Sequence, residues 1–354
     1  MTKSLVALIK KLDGNLEQLF IYGRNKYSKE LASLLNIQAF VDDFTNEKLY
    51  EGKPVIKLTQ LPQNAFVINC SYSMYPVSVW RRLNKLGFKH VSISQLICKG
   101  YISLQSNFFA AAKMDIKENH AAYTKIRKKF KNFDSLQVWD KLIAFRQSGD
   151  LAVMQDFVVD TDGQYFAEFV KLDAEVFVDL GAYDGETSEI FISKCPNYQA
   201  IHLFEPSSIN MQLAKSRLQD NSNIYYHQLG VSDGPQQLSF NSSSGSASAV
   251  DSNGIETIQL DSLDNVIAEP ISFLKIDIEG FERQAIIGAT RHISQDHPLI
   301  AVAVYHYPND LWQIPELVFS IRDDYQIELR HYTEGTDETI MYFLPIKDTF
   351  YEHG

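Results

Sequence analysis

Val176-Phe-Val-Asp-Leu-Gly-Ala-Tyr-Asp-Gly-Glu-Thr-Ser188 reads as a strand, a tight turn and a helix. Apolar and β-branched positions around Asp179 give a buried strand, and Gly181 and Gly185, four residues apart, mark a turn that the backbone takes closely. Thr187 and Ser188 are then expected to cap a helix running through Glu189 to Lys194.

A nucleotide pyrophosphate site wants Gly-x-Gly-x-x-Gly, whose second glycine admits phosphate to the backbone while the helix N-terminus holds its charge. Here the loop is Asp-x-Gly-x-x-x-Gly. That spacing resembles motif I of the class I S-adenosylmethionine-dependent methyltransferases, in which the methionine part of an unphosphorylated donor lies against bare glycine backbone. An ordinary βα turn of another α/β protein is the plain alternative.

The 354 residues suggest two domains, one of about 180 to 200 residues and a smaller companion. Composition is that of a globular protein, with 45% hydrophobic and 22% charged residues. A formal charge of −11 argues against nucleic acid or anionic lipid as a general partner. The basic run Lys125-Ile-Arg-Lys-Lys-Phe-Lys131 reads as a solvated helix face. Cys70, Cys98 and Cys195 are odd in number and widely spaced, so neither a disulfide framework nor a thiolate zinc site is expected. No apolar run reaches membrane-helix length, and a cytoplasmic location is the expectation.

Residues 1 to 18 suit one amphipathic helix with Leu5, Leu8, Ile9 and Leu12 on a common face. Strands at Leu19 to Tyr22, Ala39 to Val41, Ala65 to Asn69 and His90 to Ile93 then alternate with helices at Ser28 to Leu35 and Val77 to Leu86. Alternation implies a parallel sheet, so residues 1–100 are expected to form a small Rossmann-like domain. Its turn, Gly23-Arg-Asn-Lys-Tyr-Ser28, holds one glycine where a dinucleotide fingerprint holds three, although Asp42 stands about where a ribose-binding acid would. The segment through Val41-Asp-Asp43 and Gly52-Lys-Pro-Val55 looks similar to the nucleotide-sugar-binding domain at the N-terminus of some bacterial sugar acyltransferases. A structural or dimerising domain is the alternative. Residues 101–172 read as a mainly helical connector or lid, with Phe108, Phe109, Tyr123, Phe130, Phe133, Trp139 and Phe145 as bulk and Gln164-Tyr-Phe166 just ahead of the glycine turn.

The third domain, 173–354, is a second α/β run. Ile201-His-Leu-Phe-Glu-Pro206 ends in an acid 26 residues after Asp179, and a carboxylate there can accept both hydroxyls of a ribose. Glu205 is therefore the firmest single binding assignment. Gly230-Val-Ser-Asp233 places Val231 and Ser232 where an adenine is flanked, and Ser239 to Ser248 reads as a mobile loop. Ile271-Ser-Phe-Leu-Lys-Ile-Asp-Ile-Glu-Gly-Phe-Glu282 brings Asp277 and Glu279 to a strand's carboxyl end, where ligands of open parallel sheets lie. The two acids can bind a donor amino group, hold a cation or orient an acceptor hydroxyl, and Glu279 can equally just favour the next helix's N-terminus. Leu299 to Tyr305 ends in His306, and a hairpin through His331 to Glu338 closes the sheet.

With these residues in view, the segment from about Tyr165 to Pro345 resembles the FkbM family of S-adenosylmethionine-dependent methyltransferases. The carrying motifs are Val178-Asp-Leu-Gly-Ala-Tyr-Asp-Gly185, Phe204-Glu-Pro206, Leu260-Asp-Ser-Leu-Asp264, Leu274-Lys-Ile-Asp-Ile-Glu-Gly-Phe-Glu282 and His306-Tyr-Pro-Asn-Asp-Leu-Trp312. The resemblance implies a Rossmann-like, seven-stranded mixed sheet and methyl transfer to a hydroxyl of a sugar, glycan intermediate or related metabolite. Asp179, Gly181, Gly185 and Glu205 match the family's donor positions. Ala182, Tyr183 and Thr187 of the loop, Pro206, and Asp277 are counted with them. Tyr183 stands where the family usually has Asn.

Transfer to an alcohol requires the proton to leave, which invites a general base. His306 is the first candidate, because imidazole titrates near neutrality, with Asp277 and His331 in reserve. A divalent ion such as magnesium on Asp277, Glu279 and His306 is a further option. Two other classes stay open: an NAD-dependent oxidoreductase working through the N-terminal domain, and a non-catalytic donor-binding scaffold. The expected partner is a small-molecule or glycan acceptor rather than nucleic acid, and a homo-oligomer is open.

Overall fold

The glycine turn sits at the middle of the largest of three sheets among the described residues. The structure is a computed structural model and describes residues 3–12, 14–105, 107–240 and 256–346. The serine-rich stretch lies almost wholly outside them. The chain forms two compact units, one of residues 1–123, 137–161 and 331–337, the other of residues 124–136, 162–330 and 338–354. Among the described residues no helix is long and apolar enough to cross a membrane.

In the first unit the strands are β1 (Leu19–Tyr22), β2 (Ala39–Val41), β3 (Leu49–Tyr50), β4 (Lys53–Ile56), β5 (Phe66–Asn69) and β6 (Lys89–Ser92). They form one sheet in the order β3-β4-β2-β1-β5-β6. All its pairings are parallel except β3 with β4. That hairpin turns through Glu51 and Gly52, both left-handed, the conformation a two-residue primed turn requires. β1 is apolar throughout and fully buried, as a central parallel strand must be. The helical region comprises Phe108–Glu118, His120–Arg127 and Phe133–Ser148, of which residues 124–136 belong to the second unit; Phe109, Tyr123, Trp139 and Phe145 are core, whereas Phe133 is exposed.

The second unit contains β7 (Val176–Leu180), β8 (Ala200–Phe204), β9 (Ile224–His227), β10 (Gly230–Val231), β11 (Gln236–Phe240), β12 (Glu256–Asp261), β13 (Phe273–Ile276), β14 (Leu299–Ala303), β15 (Tyr325–His331) and β16 (Thr339–Pro345). Seven of these make a mixed sheet in the order β15-β16-β14-β13-β7-β8-β9. The five from β14 to β9 run parallel, and β16 is antiparallel to β14. The strand at Glu256 stands outside that sheet. It pairs with β10 and β11 in a separate three-stranded sheet, because its residues are matched to Gly230, Val231 and the run from Gln236.

From β7 the chain builds outward through β8 to β9, then crosses back to lay β13 on β7's other side. The order therefore reverses between β7 and β13, and in an open α/β sheet the crevice beyond such a reversal is where ligands bind. One face of this sheet is held by Phe177, Phe191 and Phe273, with Phe177 stacked on Phe191 at a centroid distance of 4.3 Å. Such contacts contribute roughly 0.5–1.5 kcal/mol each beyond area burial.

Candidate active site

Beyond β7, the turn is locked by its own backbone. Gly181 (φ +81°) and Gly185 (φ +84°) are left-handed, as is Tyr183 between them (φ +50°). The N–H groups of Gly181 and Ala182 both donate to the Phe204 carbonyl, at 3.1 and 3.0 Å, and that of Tyr183 donates to Glu205 Oε2 at 3.1 Å. These amides are spent within the protein, so the turn has little to offer a phosphate. The helix starts earlier than expected, at Glu186, with Gly185 as its N-cap residue. Thr187 and Ser188 thus lie inside its first turn, and Ser188 Oγ donates to Asp179 Oδ2 at 2.8 Å instead of capping.

Glu205 arrives at the end of β8. Its Oε1 accepts the Ser207 N–H at 2.8 Å and Asn210 Nδ2 at 3.5 Å, and Oε2 accepts the Tyr183 N–H. Burial raises its pKa, while those donors and the nearby Lys275 hold it down in part. A carboxylate offers about four lone-pair sites, so Glu205 retains acceptor capacity toward a neighbouring hydroxyl. Pro206 beside it is half-buried.

Other expected donor contacts are internal. Asp179 is fully buried and faces the sheet interior. Ser232 is also fully buried: its N–H donates to Asp261 O, its hydroxyl donates to Gly234 O, and Val231 beside it is buried on β10. Neither Val231 nor Ser232 presents a surface to an adenine, because pairing with β12 turns both inward.

At the ends of β13 and β14 a charged cluster gathers. Tyr165 Oη donates to Asp277 Oδ2 at 2.5 Å, and Tyr305 Oη reaches the same oxygen at 3.3 Å. Gln164 Nε2 links Tyr165 Oη, at 3.0 Å, to Glu338 Oε2, at 2.5 Å. His306 stands among three acids: Nδ1 is 3.0 Å from Glu282 Oε1, and Nε2 is 3.4 Å from Glu279 Oε2 and 3.6 Å from Asp277 Oδ1. The angles fall short of aligned hydrogen bonds, so these contacts are ion pairs. Burial alone pushes the imidazole pKa down, but Glu279, Glu282 and Asp277 outweigh it and raise it from 6.5 to about 12. His306 is therefore an imidazolium at neutral pH. In that form it has no lone pair to take a proton, which turns attention to the acids beside it as proton acceptors.

The metal expectation meets an obstacle in the donor set. Asp277, Glu282 and His306 offer atoms within 4.8 Å of one another, the spacing of a cation site, with Glu282 in place of the expected Glu279. Glu282 Oε1 already accepts the Ile278 and Gly280 N–H groups, and one of the three donors is an imidazole nitrogen. Magnesium prefers oxygen ligands and water. These residues do not fit it; the charge at the centre is supplied by His306.

Of the three acids Glu279 is the most open, with its side chain 35% exposed against 15% for Asp277 and 1% for Glu282. Burial raises its pKa, with the His306 charge opposing. Its backbone is left-handed (φ +55°), as are those of Tyr165 (φ +68°) and Glu338 (φ +61°). Left-handed non-glycine residues gathered around one strand end are a common mark of functional strain.

His331 belongs to the other unit. Its ring meets Phe157 edge-on at 4.8 Å, and burial, with Arg146 nearby, pushes its pKa down to about 3. Its surroundings are those of a neutral core histidine and include none of the acids above. In that unit, too, the features a dinucleotide would need are taken: Asn25 Oδ1 caps the helix after Gly23, and Asp42 accepts from Arg24 Nε at 2.7 Å and from the Phe44 N–H at 2.8 Å.

Tyr165, Tyr305, Lys275 and Glu282 were not singled out by sequence reasoning. Lys275 and Glu282 stand within the quoted Leu274 to Glu282 string, which is the available signal; Tyr165 is quoted only as part of Gln164-Tyr-Phe166 in the connector, and its partner lies 112 residues away. The left-handed backbone of Tyr183 gives a direct test. Asn enters that region far more easily than Tyr, for which it costs roughly 1–2 kcal/mol. A Tyr183→Asn protein is expected to melt about 2–4 °C higher. A fall in melting temperature would show that the exposed ring contributes more than the backbone loses.

A five-stranded parallel run closed by an antiparallel strand, with a glycine turn and an acid at its first two strand ends, is the fold of the class I S-adenosylmethionine-dependent methyltransferases. Residues 179–347 match the model of the methyltransferase FkbM domain. The whole chain is similar to a methyltransferase FkbM from Methylobacillus flagellatus KT, at 24% identity over 97% of this chain and 94% of that one, with a TM-score of 0.77. More remote is a fibrillarin from Aeropyrum pernix with S-adenosylmethionine natively bound, 15% identical over 49% of this chain and 67% of that one, with a TM-score of 0.32. No curated protein sequence matches the chain.

Proposed function

We propose that this methyltransferase acts on oxygen, moving the donor methyl group to a hydroxyl of a sugar, glycan intermediate or related neutral metabolite. The observation that carries the donor half is the pairing of a turn whose amides are spent with Glu205 beside it. That pairing suits an uncharged ribose better than a phosphate. The donor supplies an electrophilic methyl on a sulfonium, and the three acids around His306 leave a net negative field that favours a cation nearby. For the acceptor the same field disfavours anions, which supports a neutral alcohol over a phosphate ester.

In the reaction we infer, an acceptor oxygen forms a bond to the methyl carbon as the carbon–sulfur bond breaks, and the hydroxyl proton passes to a carboxylate. Glu279 is the best placed of the acids: it is the most open, and burial has raised its proton affinity. Asp277 is held by two tyrosine hydroxyls, which suits orientation. His306 fixes both by charge.

The test of the donor site is a Glu205→Ala protein. Losing hydrogen bonds from a charged acceptor costs roughly 1.5–3 kcal/mol, so S-adenosylhomocysteine should bind about 10- to 150-fold more weakly by calorimetry. Unchanged affinity would remove the ribose assignment. Transfer of labelled methyl to a panel of methyl glycosides and neutral oligosaccharides addresses the acceptor, and labelling on nitrogen or carbon alone would overturn the oxygen reading.

A further inference from the structure

Beneath the glycine turn lies a cation that neither the fold nor the reaction calls for. Lys275 is 2% exposed and comes from the middle of β13, in register with Asp179 on β7. Matched register on adjacent strands puts both side chains on one face of the sheet. Lys275 Nζ is 3.0 Å from Asp179 Oδ1, and Asp179 is wholly buried. The ammonium also donates to the carbonyls of Leu180, at 3.2 Å, and Gly181, at 2.7 Å.

Those two carbonyls belong to the peptide planes on either side of Gly181. Their N–H ends are the amides of Gly181 and Ala182, which both donate to the Phe204 carbonyl of β8. Each plane is thus pinned at both ends, to β8 through nitrogen and to the β13 lysine through oxygen. Glycine has the widest backbone freedom of any residue, and a turn built on it needs outside restraint to hold one shape. Asp179 passes the restraint on, since its second oxygen accepts the Ser188 hydroxyl of the following helix.

A buried ion pair is poor evidence for stability, because desolvating two charges offsets most of their attraction. If stability were the only demand, two apolar side chains would serve in this place. We infer that Lys275 is a positioning residue for the donor: its ammonium sets the peptide planes at Gly181, and Asp179, 3.0 Å away, holds that ammonium in place under the turn. This rests on the donor-binding reading of the turn.

The test separates affinity from stability, with S-adenosylhomocysteine as the probe. Lys275→Met alone strands the Asp179 charge, so both melting temperature and affinity should fall. Lys275→Met combined with Asp179→Asn removes both charges. Its melting temperature should return to within a few degrees of wild type, while affinity stays down on the order of 30-fold, because the Gly181 carbonyl still lacks its donor and the Leu180 carbonyl keeps only the Asp277 N–H. Recovery of affinity together with stability would overturn the inference and reduce the pair to a structural strut.

Ser188→Ala guards against a double variant that does not fold. It removes a buried hydrogen bond from the same carboxylate but leaves the lysine in place. Its affinity should stay within about three-fold of wild type even as its melting temperature falls. A loss there as large as that of Lys275→Met would overturn the inference. Wild-type protein that ignores S-adenosylhomocysteine would instead defeat the donor reading itself, an outcome distinct from either.

Discussion

A Gly181→Ala protein is expected to lose donor binding and a large share of the second unit's stability. A Cβ at this position would lie 1.9 Å from the Asp277 carbonyl oxygen and 3.0 Å from both the Asp277 carbonyl carbon and Ile278 Cγ2. The obstacle is backbone, so no side chain can swing away to relieve it. β7 and β13 would have to part at the point where Asp277 N–H donates to Leu180 O at 3.1 Å, and the Lys275 bonds to the turn lie on the same seam. Left-handed backbone adds roughly 1–2 kcal/mol for a residue with a side chain, and overpacking typically adds 1–3 kcal/mol. Together they come to about 2–5 kcal/mol, against a total stability of about 5–15 kcal/mol for a typical domain. Gly185→Ala is the comparison: φ is similar, but the nearest atoms are those of Ala214 at 3.1 Å, so most of its cost is backbone strain. Thermal unfolding and S-adenosylhomocysteine titration of the two proteins should rank Gly181 well ahead. Equal losses would mean that the close approach to β13 contributes nothing.

That close approach shows where sequence reasoning reached and where it stopped. The strand, the turn and the following helix are contiguous, and their signals, apolar residues and then two glycines, are local, so they were legible without a partner. The same holds for Glu205 at its strand end. Ser188 was misjudged as a cap because a hydroxyl near a helix start has two uses, and only the position of Asp179 across the turn decides between them. Val231 and Ser232 look like an exposed turn until β12 pairs alongside them. Lys275 shows the limit most clearly. A lysine within an apolar strand carries no instruction about its partner, and its function comes entirely from a cross-strand neighbour 96 positions earlier. The state of His306 was hidden for a related reason: one histidine near one acid is a plausible base, whereas one histidine among three is a fixed cation.

Replacing that cation should show its effect through pH. In a His306→Gln protein the carboxylates of Asp277, Glu279 and Glu282 lose the charge they surround, and breaking a mostly buried ion pair typically costs about 3–5 kcal/mol. The imidazole's folded pKa, about 12, lies above the unfolded value of 6.5. Its stabilisation is therefore fully present below pH 6.5 and drains away as the pH climbs through the folded value. On the acid side the partners govern. Glu282 has its pKa held below the usual 4.5, burial opposing but His306 and backbone amides prevailing. The stability it supplies is present above 4.5 and lost as the pH falls through its folded value. The difference in melting temperature between wild type and His306→Gln should therefore be widest near pH 6 and narrow in both directions. A difference that instead stayed flat from pH 7 to pH 9 would mean that the wild-type imidazole is already neutral there. That result would return His306 to the list of proton acceptors and take from Glu279 the counter-charge on which its assignment depends.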